Sequence, residues 1–172
     1  KGTEIGENIL LDLFSKNGFT IISPEQLTLD EQIAVVRNTK LLCGIIGTLG
    51  HNMLFAKPEQ HMILVNKTHN INVAQMDINK MKNLDMTYID SYLAEFPSLI
   101  GNGPFLITYS EMLNQYVEKH NWKKPAEDVI SETVLKRNLQ EYEEMYRSRN
   151  LKNLRLVYEK NPDRFDYFAP DH

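Results

Sequence analysis

Residues 44–55 read GIIGTLGHNMLF, and the part from Gly47 to Asn52 gathers more chemistry than a turn requires. Gly47 and Gly50 permit close approach of a ligand to the backbone, because no Cβ stands in the way. Thr48 adds a hydroxyl, and Asn52 an amide that both donates and accepts. His51 offers a neutral hydrogen bond or, when protonated, a cation beside a diphosphate. If the loop opens a helix, its first N–H groups lack backbone partners and carry partial positive charge, which suits a phosphate. The same residues also suit a plain glycine turn in which Thr48 or Asn52 caps a helix. His51 is equally at home as a packed, hydrogen-bonded histidine. By themselves these residues define an anion-compatible stretch and no reaction.

A second group lies upstream in SPEQLTLDEQ, residues 23–32. Glu25 follows Pro24, where a carboxylate either accepts hydrogen bonds from sugar or ribose hydroxyls or stays solvated in a loop. Thr28 and Glu31 have capping-box spacing, so Glu31 is assigned to a helix start, and Gln32 to bracing the neighbouring loop. Other constellations fail. No Cys/His group has metal-ligand spacing, and His61 and His69 stand apart in the chain. Neither a G-x-S-x-G elbow nor a P-loop occurs, and Asp85 and Asp90 form no D-x-D motif. No metal site is expected.

The elements that must position these residues follow from periodicity. TEIGENILLDLFSKNG reads as a helix, with Thr3 as N-cap, an apolar stripe of Ile5, Ile9, Leu10, Leu13 and Phe14, and Asn17-Gly18 as the stop. FTIIS reads as a short strand ended by Pro24. TLDEQIAVVRNT is a helix with Leu29, Ile33 and Val36 buried, and KLLCGII a strand covered on both faces. HNMLFAK reads as a short helix, and HMILVN as a further buried strand. Strands alternating with helices predict right-handed crossovers, hence a doubly wound, Rossmann-like α/β fold with a mostly parallel sheet. In such a sheet ligands sit beyond the carboxyl ends of the strands, which places Glu25 and the Gly47–Asn52 loop on one edge.

Further along, NINVAQMDINKMKNL reads as a helix with Ile71, Ala74, Ile78 and Met81 on one side, and MTYIDSYLAEF and PFLITY as strands, with Tyr88 and Tyr92 lining a sheet face. Thr108 and Glu111 repeat the capping-box spacing before EMLNQYVEKHNW. After Pro125 comes a long amphipathic helix with Leu135, Leu139, Tyr142 and Tyr146 on its apolar side. A last helix, LKNLRLVYEKN, is closed by Pro162. Residues 1–124 are therefore taken as the Rossmann-like unit and 125–172 as a helical extension that packs on it, on an absent domain, or on a second copy as a homodimer.

The 172 residues carry a net charge of −4 with no polybasic run, which disfavours nucleic acid as a partner. Cys43 is the single cysteine and sits in an apolar run, so no intrachain disulfide framework exists and a cytoplasmic setting is expected. No apolar run reaches bilayer length. The chain opens on Lys1 inside a helical pattern, which reads as part of a longer protein.

Residues 18–67 resemble the carboxyl-terminal part of glycosyltransferase family 61, which includes capsular-polysaccharide biosynthesis enzymes of bacteria. The resemblance rests on Gly18-Phe19, Pro24-Glu25, Thr28, Glu31-Gln32, the apolar run Leu41 to Ile46, the loop Gly47 to Gly50, and Asn52 with Phe55. NINVAQMDIN and YIDSY are similar to the bacterial branch. Many relatives have His-Gly-Ala in the loop, whereas this chain has Leu49-Gly50-His51. The resemblance implies the carboxyl-terminal half of a two-domain, GT-B-type transferase that holds a nucleotide-sugar donor. It implies an inverting, metal-independent displacement without a cofactor, at the inner face of the membrane or in the cytoplasm. Donor contacts fall to Gly47, Thr48, Gly50, His51, Asn52 and Glu25, supported by Glu31 and Gln32. The acceptor glycan and the catalytic base belong to an amino-terminal half, so no catalytic residue is named. The competing expectation is a non-catalytic nucleotide-binding or assembly module of a polysaccharide-synthesis complex. An epimerase is a further alternative, disfavoured by the missing dinucleotide fingerprint.

Overall fold

A computed structural model describes residues 4–93 and 103–160 of the chain. Three strands, β2 (Leu41–Ile45), β3 (His61–Asn66) and β4 (Asp85–Asp90), form a parallel sheet in the order β2-β3-β4. Their register pairs Cys43 with Ile63 and Ile63 with Thr87. Two short strands, β1 (Glu4–Ile5) and β5 (Phe105–Leu106), pair in parallel with each other. An antiparallel bridge between Tyr92 and Ile107 joins this pair to the end of β4.

The side chains of a strand alternate between faces, and here the two sets build two separate cores. Leu41, Cys43 and Ile45, with Ile63, Val65 and Ile89, pack against Leu10, Leu13 and Phe14 of α1 (Glu7–Lys16) and Leu113 and Val117 of α4 (Glu111–Lys119). Leu42, Met62, Leu64, Met86 and Tyr88 pack on the other face against Val36 of α2 (Leu29–Asn38) and Met53 and Ala56 of a 3-10 helix, Thr48–Phe55. Helix α3 (Val73–Lys82) lies beside that 3-10 helix. Helices on both faces of a parallel sheet make a mixed α/β fold in three layers, compatible with a Rossmann-like arrangement.

The first helix starts later than its apolar pattern suggests. Gly6 takes φ +86°, and a Cβ there would lie 2.3 Å from the Ile107 carbonyl oxygen, so the chain turns at Gly6 and leaves Glu4–Ile5 free to join β5. Thr3 lies outside the described residues. At the other end, Asn17 bridges to Lys123 with two hydrogen bonds of 2.8 Å.

FTIIS is irregular and belongs to no ladder, and Ile21 and Ile22 stay exposed. Strand β2 is consequently an edge strand, half-buried along its length rather than covered on both faces. In α2 the capping box forms as expected, with Thr28 N–H donating to Glu31 at 2.7 Å, but only Val36 is buried and Leu29 is 61% exposed. In α3 the inward residues are Gln75 and Ile78, while Ile71, Ala74 and Met81 face solvent. Tyr88 packs on a sheet face as expected, and its hydroxyl accepts from Asn79.

Ser110, not Thr108, caps α4, accepting from Leu113 N–H at 3.1 Å. The long helix after Pro125 is divided at Ser131 into α5 (Glu127–Ile130) and α6 (Glu132–Lys160), and the last expected helix is continuous with α6. Tyr142, with Leu139 and Tyr146, packs against Ile5 and Leu106. Asp12 accepts from Ala126 N–H at 2.7 Å and fixes the start of α5 on α1. Pro162 and residues 94–96 of the expected strand lie outside the described residues. Among the described residues no helix is long and apolar enough to cross a membrane.

Candidate functional site

An open cleft of about 1240 Å³ runs along the free edge of β2 to the carboxyl ends of the strands. Its walls are α1, the irregular segment 19–23, the turn at Pro24–Gln26 and α2. Of the residues singled out in the sequence, Glu25, Gln32, Gly47 and Asn52 line it together.

The geometry that gathers them is local and polar. Gln32, on the first half of α2, donates through Nε2 to the carbonyls of Pro24 (3.0 Å) and Leu27 (3.1 Å) and so pins the turn carrying Glu25. Its Oε1 accepts from Asn52 Nδ2 at 2.9 Å, which ties that turn to the 3-10 helix. Glu25 itself is exposed at the rim. Glu31 is engaged with Thr28, whose backbone N–H holds its carboxyl below the usual range.

Gly47 has extended backbone, and a Cβ placed on it would meet nothing closer than 3.9 Å, so the space beyond it is open. It precedes Thr48–Phe55, whose first N–H groups have no carbonyl within that helix to bond. Gly50 is different. It is buried, and a Cβ there would lie 2.2 Å from Gln75 Oε1, a side chain of zero exposure held by Asn79. The close approach that Gly50 permits is that of Gln75. His51 also turns from the cleft lining, its Nε2 lying 3.2 Å from Asn72 Nδ2.

The structure adds residues that the motif reading did not select. Lys67, directly after β3, lines the cleft with Glu4 and Glu7. Its Nζ is 2.5 Å from Glu4 Oε1 and 4.3 Å from the centre of the Phe105 ring. Glu7 still reaches solvent, but partial burial, then Glu4 and Glu25, push its carboxyl up, while Lys67 pulls the other way. A polar residue just past a buried strand was the available signal for Lys67. Glu4 and Glu7 carried none, because their partners come from β3 and β5.

One more constellation lies at the amino-terminal end of the sheet. His61 Nδ1 is 2.8 Å from Asp85 Oδ2, and its Nε2 is 3.0 Å from Thr87 Oγ1. That order of hydroxyl, imidazole and carboxylate is the layout of an activated nucleophile. Here His61 and Asp85 stand opposite each other on paired strands, and His61 N–H is taken by the Lys40 carbonyl at 2.9 Å, so the His61 backbone offers no donor to an oxyanion. It is a cross-strand tie. Cys43 is equally quiet, its thiol pushed up to about 12 by burial.

Among known families, the one described as Glycosyltransferase 61 matches residues 4–63, a segment that contains every cleft residue named above except Lys67. No curated protein and no solved structure matches the chain.

Proposed function

We propose, from the glycosyltransferase family 61 domain carried by residues 4–63, that this chain is the nucleotide-sugar-binding part of an inverting glycosyltransferase. The observation that carries the reading is spatial. The matched segment folds into α1, the Glu25 turn, α2, β2 and the 3-10 helix, and these are the walls of the cleft at the carboxyl edge of the sheet. Ligands of open parallel sheets bind beyond that edge.

In this reading the donor's diphosphate meets the amides that open the 3-10 helix after Gly47, with Asn52 as its polar partner, and Glu25 accepts from ribose or sugar hydroxyls; the Thr48 side chain lies outside what the structure describes. Gln32 holds Glu25 and Asn52 in one frame, Gly50 seats the loop on Gln75, and His51 steadies its outer side. Glu31 secures the start of α2. The acceptor hydroxyl attacks the anomeric carbon from the face opposite the diphosphate, the glycosidic bond to phosphate breaks, and the departing oxygen gains negative charge. Amides already aimed at that oxygen stabilise it without reorganising. A GT-B arrangement supplies acceptor and base from an amino-terminal half. The family's bacterial branch makes capsular or exopolysaccharide the product class, with work at the inner membrane face. Residues 1–124 hold the donor, and the helices of 125–172 brace that unit or pair two copies.

Calorimetry with a panel of nucleotide sugars tests this. The expected result is binding of at least one donor, weakened several-fold by Asn52→Ala and Glu25→Gln with little change in Tm, and less by His51→Ala. Unchanged affinity together with a large loss of stability in Asn52→Ala would assign the loop a packing role alone.

A further inference from the structure

Among the described residues that line the cleft, Lys67 is the one cation, set against Glu4, Glu7 and Glu25. Its residue is only 7% exposed, yet it follows the last residue of β3 and so stands at the ligand edge of the sheet. A buried ion pair is a poor way to gain stability, since two apolar residues of like size often serve as well or better. The Glu4–Lys67 pair is therefore weakly explained by folding, and its position invites another explanation.

We propose that Lys67 receives the diphosphate of the ligand and that Glu4 is a stand-in anion, holding the ammonium until the ligand displaces it. This rests on the donor-binding reading of the cleft. The Phe105 ring, 4.3 Å from Nζ, keeps the cation in place when Glu4 withdraws, because the ring face attracts positive charge without competing for its hydrogen bonds. Glu4 has room to withdraw, its side chain being more open to solvent than that of Lys67 (23% against 9%). The surrounding carboxylates make the exchange selective. An anion that fails to reach Lys67 meets only Glu4, Glu7 and Glu25 and is repelled.

The test is calorimetry on the whole chain with inorganic pyrophosphate, UDP and uridine, with Tm recorded for each variant. Wild type is expected to bind pyrophosphate and UDP but not uridine. Glu4→Gln is expected to bind both more tightly, because the competitor is gone. Lys67→Met is expected to lose roughly tenfold or more, the usual scale for a hydrogen bond to a charged group. The double variant Glu4→Gln/Lys67→Met, which leaves no charge unpaired, keeps the experiment decisive if Lys67→Met fails to fold. Equal pyrophosphate binding by the double variant and by Glu4→Gln overturns the assignment, as does absence of pyrophosphate and UDP binding to both wild type and Glu4→Gln. A nucleotide sugar bound normally by the double variant overturns the role of Lys67 and leaves the donor reading standing. Pyrophosphate bound through Lys67 while no nucleotide sugar binds does the reverse.

Discussion

The two ends of the central sheet carry polar clusters of opposite character. At the amino-terminal end, Thr87, His61 and Asp85 are linked at 2.8–3.0 Å in a chain that a search for nucleophiles would select first. At the carboxyl end, Glu4, Glu7, Glu25 and Lys67 form no recognisable triad, and one close pair stands among them. Yet the second end has the open cleft, the start of the 3-10 helix after Gly47, whose first amides have no carbonyl within that helix, and an amide frame from Gln32 to Asn52. Side-chain order is cheap to produce, since two paired strands place residues opposite each other at every register position. Helix-start amides beside an accessible volume are not, because they occur only where a connection opens a helix at the rim of a cleft. The second kind of scarcity is the better guide to a site.

That contrast can be broken or sharpened by substitution. The largest effect is expected at Gly50. Gly50→Ala sets a methyl group against the buried Gln75 side-chain carbonyl and should cost about 1–3 kcal/mol as overpacking, whereas Gly47→Ala, with open space around it, should leave the urea midpoint unchanged and reduce donor affinity. A Gly50→Ala protein of full stability would remove the distinction between the two glycines. Next, Thr28→Ala removes the cap of α2 and should cost about 1 kcal/mol. Because α2 carries Gln32, donor affinity should fall with it, which calorimetry on the same sample reads.

At the opposite end, Thr87→Val deletes one hydrogen bond, a loss of about 0.5–1.5 kcal/mol, and should leave nucleotide-sugar binding untouched. Mass spectrometry after exposure to a reactive ester should find no adduct on Thr87, and an acyl-Thr87 species would show that the triad layout is active after all. The smallest effect is expected from Glu7→Gln. The Glu7 carboxyl is raised in the folded state, so its favourable contribution is complete below the unfolded value and is lost as pH rises through the folded one. Removing the charge should therefore raise Tm slightly at neutral pH, with the gain vanishing at acid pH. Glu31 has the opposite sign: its contribution is present above the unfolded value and lost as pH falls through the depressed folded one.

What the sequence made legible was local. The capping box of α2 lies within four residues of chain, and β3 is an apolar run too short for a typical helix and rich in β-branched and aliphatic residues, so both are read directly. The error at α1 has a remote cause, because Gly6 turns only to avoid Ile107 and to let β1 meet β5, a strand far away in the chain. Gln75 was missed as an inward residue because a glutamine on a helix ordinarily faces water, and only the notch at Gly50 gives it a place inside. For the same reason the site was half legible. Glu25, Gln32, Gly47 and Asn52 come from neighbouring connections of one crossover, and they do share the cleft. Lys67 and Glu4 owe their meeting to tertiary structure.

Cys43 lies in the middle of the edge strand, its side chain turned to the α1 and α4 core and its thiol almost never ionised at neutral pH. The chain has no other sulfhydryl. Cys43 also lines the adjoining groove, so the rate at which an alkylating reagent consumes it reports how open that groove is, and a bound occupant should slow the reaction without any label having to be installed.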